Sequence, residues 1–200
     1  MAAKKPRKEE LAGYRTLLCV TGGIACYKAA DLASKLTQAG AAVDVAMTEA
    51  ACRFVTPLTF QSLTRRAVFS SLWQSAENYR SHHTSLTESA DLMVVAPATA
   101  DILAKIACGI ADDLVSTAAL AASGACDILV APSMNTRMWL AAATKENVAT
   151  LKKRKVHFVG PAEGRLACGT TGPGRMVEAA EILAAATKLL LKRSPKKSGD

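Results

Sequence analysis

The stretch Asp127-Ile128-Leu129-Val130-Ala131-Pro132-Ser133-Met134-Asn135-Thr136-Arg137-Met138-Trp139 decides how this chain folds. Asp127 to Ala131 is a short, nearly continuous apolar run, the pattern of a strand buried on both faces of a parallel sheet. Pro132 has no N–H to give a ladder, so the strand is expected to end there. The loop that follows leaves the carboxyl end of a buried strand, where open α/β sheets bind ligands. Asn135 carries two amide donors and an acceptor, flanked by the thioethers of Met134 and Met138 and the indole of Trp139. That set suits gripping a small polar group against a flat apolar ring. The same residues also suit a plain βα turn, with Asn135 as helix N-cap and Met134, Met138 and Trp139 as core.

Outward from this stretch the pattern repeats. Arg15 to Thr21, Val43 to Met47 and Asp91 to Ala96 read as further buried strands, with weaker strands at Val68–Leu72 and Val156–Val159. Pro97 is expected to turn the chain off its strand as Pro132 does. Helices are predicted at about Ile24–Ala39, Pro57–Leu63, Ala100–Cys108, Asp112–Ala122 and Arg175–Leu191, with Gly40 and Gly109 as stops. An Ala/Leu helix is expected after Trp139. The last helix is expected to carry Val177, Ala180, Leu183, Thr187 and Leu190 on one stripe. Residues 73–86 read as polar and irregular, and Gly160 to Gly174 as a glycine-rich loop of lid length. Alternating strands and helices predict a single-domain, doubly wound parallel sheet of Rossmann or flavodoxin type, α/β/α in three layers. The domain is expected to span residues 15–191, between a basic tail at 1–14 and another at 192–200.

Two hundred residues suffice for one substantial core. Half of them are hydrophobic and only 4% aromatic, which favours closely packed alanine-rich helices over a β-sandwich. The net charge of +8 is concentrated at the ends. Residues 1–15 supply +3 and residues 188–200 supply +4, so the body between is nearly neutral. Solvated tails explain that distribution, and no nucleic-acid partner is expected. No apolar run is long enough to span a membrane and no signal core follows the start, so a cytoplasmic protein is expected. The six cysteines include no Cys-x-x-Cys pair and the three histidines have no metal-ligand spacing, so no metal is expected. Cys19, Cys26, Cys52, Cys108 and Cys126 read as small core residues, whereas Cys168 lies among glycines.

Gly22-Gly23 joins the first strand to the first helix. Such a turn lets backbone amides approach a phosphate at a helix N-terminus. A dinucleotide fingerprint needs three spaced glycines, and Ile24 to Tyr27 supply none, so a mononucleotide is better supported than NAD. A plain glycine turn is the alternative. Thr48, after the second strand, reads either as a hydroxyl donor to a phosphate or as a helix cap.

Five stretches occur in order: Thr21-Gly22-Gly23-Ile24-Ala25, His83-Thr84-Ser85-Leu86, Ala96-Pro97-Ala98-Thr99-Ala100-Asp101, Pro132 to Met138, and Ala167-Cys168-Gly169-Thr170-Thr171-Gly172-Pro173-Gly174-Arg175-Met176. Together they resemble the homo-oligomeric flavin-containing cysteine decarboxylases, over roughly Thr16 to Leu190. The likeness is greatest to the branch that acts on 4′-phosphopantothenoylcysteine in coenzyme A biosynthesis. Two positions depart from the family pattern: Thr84 stands where isoleucine usually follows the histidine, and Ser133 where alanine is usual.

The resemblance implies FMN as cofactor, bound by Gly22, Gly23, Ile24, Thr48, Ala98, Thr99 and Ser133. It implies His83 and Cys168 as catalytic residues, with His82 an exposed loop histidine. Asn135 would bind the substrate carboxylate, with Met138, Arg165 and Ala167 as further substrate contacts. It also implies a homo-oligomer built on trimers, up to a dodecamer, with FMN at the subunit boundary. In many bacteria this domain is fused to a synthetase, and a chain ending at Asp200 is expected to hold the decarboxylase half alone. The implied chemistry oxidises the substrate thiol to a thioaldehyde, loses carbon dioxide to an enethiolate, and returns a hydride and an acid's proton to give 4′-phosphopantetheine. Two other functions fit the same residues: a peptidyl-cysteine decarboxylase of the lantibiotic type, and a non-catalytic flavin-fold regulatory subunit. The joint presence of His83, Asn135 and Cys168 weighs against the second.

Overall fold

The computed structural model describes residues 9–73 and 82–196, with the side chains of His82 and His83 outside the described residues. Six parallel strands form the central sheet: β1 (Arg15–Val20), β2 (Ala42–Met47), β3 (Val68–Phe69), β4 (Leu92–Ala98), β5 (Asp127–Pro132) and β6 (His157–Phe158). Their order, β3-β2-β1-β4-β5-β6, reverses direction between β1 and β4. The sheet is therefore the doubly wound one expected, and its switch point lies between the first and fourth strands. The long central strands are buried on both faces, which is why they read as unbroken apolar runs.

Helices cover both faces. α1 (Cys26–Gln38) and α9 (Ala179–Leu190) pack on one side with Leu18, Val20, Val94 and Ala131 of the sheet. α5 (Ala100–Cys108), α6 (Leu114–Ala121) and α8 (Ala142–Lys153) pack on the other with Leu17, Cys19, Met93 and Val130. The short helices α2 (Glu49–Cys52), α3 (Pro57–Thr64), α4 (His82–Ser89) and α7 (Thr136–Leu140) complete the layers.

Several expectations are corrected. β4 runs through Pro97 to Ala98, because the register slips between Val95 and Ala98 and the irregularity takes a residue without an N–H. Residues 82–86, expected to be irregular, belong to α4, whose Leu86 anchors in the core although no apolar stripe announces the helix. The lid loop is an antiparallel hairpin, β7 (Ala162–Arg165) and β8 (Thr171–Arg175). Arg175 therefore belongs to a strand. α9 begins later, where Glu178 and Glu181 form a capping box. Its buried face is Ala179, Ile182, Leu183, Ala186 and Leu190; of the expected stripe Val177, Leu183 and Leu190 are buried and Thr187 is half-buried, whereas Ala180 faces solvent. Cys108, at the last turn of α5, is exposed rather than core.

Both expected tails touch the body within the described residues. Leu11 is fully buried and donates its N–H to Ala39 O at 2.8 Å. The Tyr14 hydroxyl donates to Arg193 O at 2.7 Å, and Lys196 N–H donates to Asp91 Oδ1 at 2.7 Å. Among the described residues, no helix is long and apolar enough to cross a membrane, and no cluster of metal-ligating side chains occurs.

Candidate active site

The switch point is tied together by one side chain. At the end of β1, the Thr21 hydroxyl donates to Pro97 O of β4 at 2.6 Å. The backbone N–H of Thr99 returns a bond to Thr21 Oγ1 at 3.3 Å. Between these strand ends and the hairpin opens a cleft of about 1310 Å³.

Gly22 and Gly23 form its floor on the β1 side. A Cβ on Gly22 would overlap the Ala50 side chain and lie 2.9 Å from the Ala50 carbonyl carbon, so only glycine lets the turn lie against the start of α2. The N–H groups of Gly22 and Ile24 donate to no protein acceptor among the described residues. The N-cap position of α1, Ala25, contributes no side-chain bond, so the positive end of this thirteen-residue helix faces the cleft uncapped. Thr48 Oγ1 accepts from Ala51 N–H at 3.1 Å, which caps α2 and leaves its proton available to the cleft. Capping and donation, two readings of Thr48 from the sequence, thus occupy different atoms of one hydroxyl.

Asn135 shows the same division of labour. Its Oδ1 accepts from Arg137 N–H at 2.7 Å and caps α7. That bond fixes the amide, so Nδ2 points the other way and donates to Cys168 Sγ at 3.2 Å. The cap and the ligand-gripping amide, alternatives in the sequence, are one residue doing both. Met134 is buried beneath it, and Met138 is exposed on the cleft wall.

Cys168 sits at the exposed tip of the β7–β8 hairpin, between Asn135 and Thr170, whose hydroxyl is 3.1 Å from the sulfur. Hydrogen bonds from the Thr170 side chain and backbone hold the thiol below its ordinary pKa against opposing desolvation, with Asn135 adding a lesser contribution in the same direction. By contrast, burial pushes the Cys19, Cys26 and Cys126 thiols up, as befits inert core residues.

Charge at the rim is organised in two groups. Lys28 extends from α1 with 12% of its side chain exposed, donating to Glu178 Oε1 at 2.7 Å and Met176 O at 3.3 Å. Lys105 lies between Asp112 at 2.9 Å and Asp113 at 3.0 Å. Desolvation lowers its pKa, but the hydrogen bonds it donates to these carboxylates outweigh that and hold it above the ordinary lysine value. Among the described residues Arg165 has no ion-pair partner, and it faces the cleft exposed.

The structure thus brings Gly22, Gly23, Ile24, Thr48, Thr99, Ser133, Asn135, Met138, Arg165, Ala167 and Cys168 around one cleft. Ala98 is not among them. It is fully buried as a strand residue paired with Pro132, and its carbonyl is taken by Ser133 N–H at 2.9 Å. His83 falls in α4, but its side chain lies outside the described residues. Sequence reasoning missed Thr170, although it stands two residues after Cys168. It also missed Lys28 and Glu178, which are 150 residues apart and carry no motif.

Comparison with known proteins bears on this cleft. The Flavoprotein family model matches residues 4–191. The Coenzyme A biosynthesis bifunctional protein CoaBC of Bacillus subtilis is 48% identical over 172 residues, 86% of this chain and 42% of that protein. Its counterpart in Vibrio vulnificus is 46% identical over 176 residues, 88% of this chain and 43% of that protein. The chain therefore spans less than half the length of the curated relatives it matches. Among solved structures, a cysteine-to-serine mutant of PPC decarboxylase complexed with pantothenoylaminoethenethiol superposes with a TM-score of 0.80 at 28% identity, covering 90% of this chain and 99% of that one. The FMN-dependent cysteine decarboxylase SpaF gives a TM-score of 0.76 at 28% identity, covering 90% and 97%.

Proposed function

Because the chain belongs to the Flavoprotein family, we propose that its cleft holds a flavin, namely FMN, and decarboxylates 4′-phosphopantothenoylcysteine to 4′-phosphopantetheine. The observation that carries this reading is the amide of Asn135, clamped by Arg137 N–H and aimed at the Cys168 thiol. A donor fixed in this way meets a carboxylate without adding a positive charge that would hold the carboxylate back from leaving.

The residues present fit a flavin mononucleotide. Free N–H groups at Gly22 and Ile24 and the uncapped end of α1 suit one phosphate. The hydroxyls of Thr48 and Ser133 add polar contacts, and Met134 and Met138 offer apolar surface to a flat ring. Bound there, a flavin would supply a two-electron acceptor and donor.

The chain's own groups do the rest. Asn135 orients the carboxylate, with Met138, Arg165 and Ala167 as neighbouring contacts. Oxidation of the substrate CH₂–SH to CH=S releases two electrons and two protons. Carbon dioxide then leaves with its bonding electrons passing into C=S as an enethiolate. Two electrons and one proton would return to the sulfur-bearing carbon at the end, and Cys168 Sγ–H would deliver the second proton to the neighbouring carbon. A thiol held below its ordinary pKa gives up that proton more readily than a free cysteine. His83 is the proposed manager of the earlier proton.

We propose further that the protein works in the cytoplasm as a homo-oligomer built on trimers. Exposed Ile24, Tyr27, Phe54 and Leu58, on segments around the α1–α3 contact, support a covered surface there. The much higher identity to the coenzyme A proteins than to SpaF favours the small-molecule substrate over a peptide.

Purified protein is expected to be yellow and to release FMN, not FAD, on denaturation. It should liberate carbon dioxide from 4′-phosphopantothenoylcysteine. A protein that cannot be loaded with FMN, or that releases carbon dioxide only from peptides ending in cysteine, would overturn the proposal.

A further inference from the structure

The hairpin that carries Cys168 belongs to a separate two-stranded sheet, not to the central one. Its place over the cleft is therefore set by contacts along β8. Two are close. Met134 N–H donates to Gly174 O at 2.9 Å, which lays β8 beside the Asn135 loop. Two residues earlier, the bare Cα of Gly172 rests on Thr136, the first residue of α7. A Cβ at Gly172 would lie 2.8 Å from Thr136 Oγ1 and 2.9 Å from Thr136 Cγ2. Thr136 Oγ1 is itself buried and has no hydrogen-bond partner among the described residues, so this side chain serves here by its shape.

We propose that the Gly172–Thr136 contact is the stop that sets how far the hairpin closes, and so positions the Cys168 thiol against Asn135 for the last proton transfer. Gly172 and Thr136 are positioning residues. Neither takes part in the Asn135–Cys168 hydrogen bond, yet Thr136 directly follows Asn135 and Gly172 is on the strand that leads away from Cys168. Ordinary carbon contacts need about 3.5–4.0 Å, so a methyl on Gly172 must lift β8 by several tenths of an ångström. A displacement approaching 1 Å at a reacting group costs on the order of 100-fold. The earlier steps depend on Asn135 and the β1 side of the cleft, and the hairpin's Arg165 and Ala167 enter them through substrate binding, so the comparison is made at saturating 4′-phosphopantothenoylcysteine.

The inference rests on the reading of Cys168 as the final acid, and its test separates the two. Holoenzyme carrying Gly172→Ala is given 4′-phosphopantothenoylcysteine, and both carbon dioxide and the thiol product are quantified. We expect carbon dioxide in the first turnover at close to the wild-type rate. The saturated thiol should fall by about 100-fold, leaving product two hydrogens lighter. Adding Thr136→Ala removes both close atoms, so the double variant should recover the part of the loss that the contact causes, the signature of two coupled positions, while the strain of a side chain at the Gly172 φ of +158° remains.

A second readout needs no activity. Exchange of the Met134 amide, followed in the peptide across Ser133–Asn135, should quicken about tenfold in Gly172→Ala and slow again in the double variant, while the β4 peptide around Val94 stays protected. Should Gly172→Ala fail to fold, Thr136→Ile crowds the same contact from the other side and should give the same product split. Equal loss of carbon dioxide and saturated thiol, normal turnover, or no recovery in the double variant would each overturn the inference. A wild-type enzyme making no saturated thiol would instead overturn the function proposed above.

Discussion

Two glycine-rich segments face each other across the cleft, and they use glycine differently. The Gly22-Gly23 turn hangs from β1, at the centre of the six-stranded sheet, and its missing Cβ is filled by Ala50. The β7–β8 hairpin hangs from nothing central. Its missing Cβ atoms at Gly172 and Gly174 are filled by Thr136 and by the Met134 carbonyl. At the turn, a side chain would push apart parts of one rigid body. At the hairpin, it would push a ribbon away from a loop. The first segment suits a cofactor that stays, and the second a cover that must meet each substrate. Closeness of approach is common to both, so the difference lies in what each is fastened to.

The turn should break hardest. Gly22→Ala drives a methyl into Ala50 and its backbone, and overpacking of that kind costs about 1–3 kcal/mol. Chemical denaturation should show that loss, together with FMN that no longer stays bound through gel filtration. The tip of the hairpin should yield least. Thr170→Val removes the first hydrogen bond that holds the Cys168 thiol below its ordinary value, so the pKa rises. At neutral pH the thiolate fraction then falls and alkylation of Cys168 slows, whereas well above the ordinary thiol pKa of ~8.5 the two proteins react alike. Stability should stay within about 0.5 kcal/mol, because the group is exposed. An alkylation profile that moves to lower pH would remove Thr170 from the account.

Legibility in the sequence follows the same division. The buried strands at Arg15–Val20 and Asp127–Pro132 are visible because burial on both faces writes a continuous apolar run. α5 is visible to the residue, because Thr99 caps it and Gly109 takes the left-handed conformation that ends it. The hairpin is not visible. Ala162-Glu163-Gly164-Arg165 holds no β-branched or large apolar residue, and what seats the hairpin is contact with the Met134 backbone and the Thr136 side chain. The site divides likewise. Gly22, Asn135 and Cys168 stand at element ends that motifs mark, and they meet at one cleft. Ala98 is buried in β4 and does not line the cleft, because a motif position says nothing of which way a strand side chain faces. Thr170 acts through a hydroxyl whose direction depends on the tight tip from Leu166 to Thr170, closed by Leu166 N–H to Thr170 O at 2.8 Å.

The central claim is that the clamped Asn135 amide and the hairpin thiol divide the reaction, the first serving loss of carbon dioxide and the second the final protonation. Cys168→Ser tests it most directly. A serine hydroxyl keeps a partner for Asn135 and Thr170 but is a far weaker acid than a thiol. Given 4′-phosphopantothenoylcysteine, the FMN-loaded variant should release carbon dioxide for about one turnover, bleach its flavin, and hold a product two hydrogens lighter than 4′-phosphopantetheine by mass spectrometry. Sustained turnover by the variant to the saturated thiol would contradict the account.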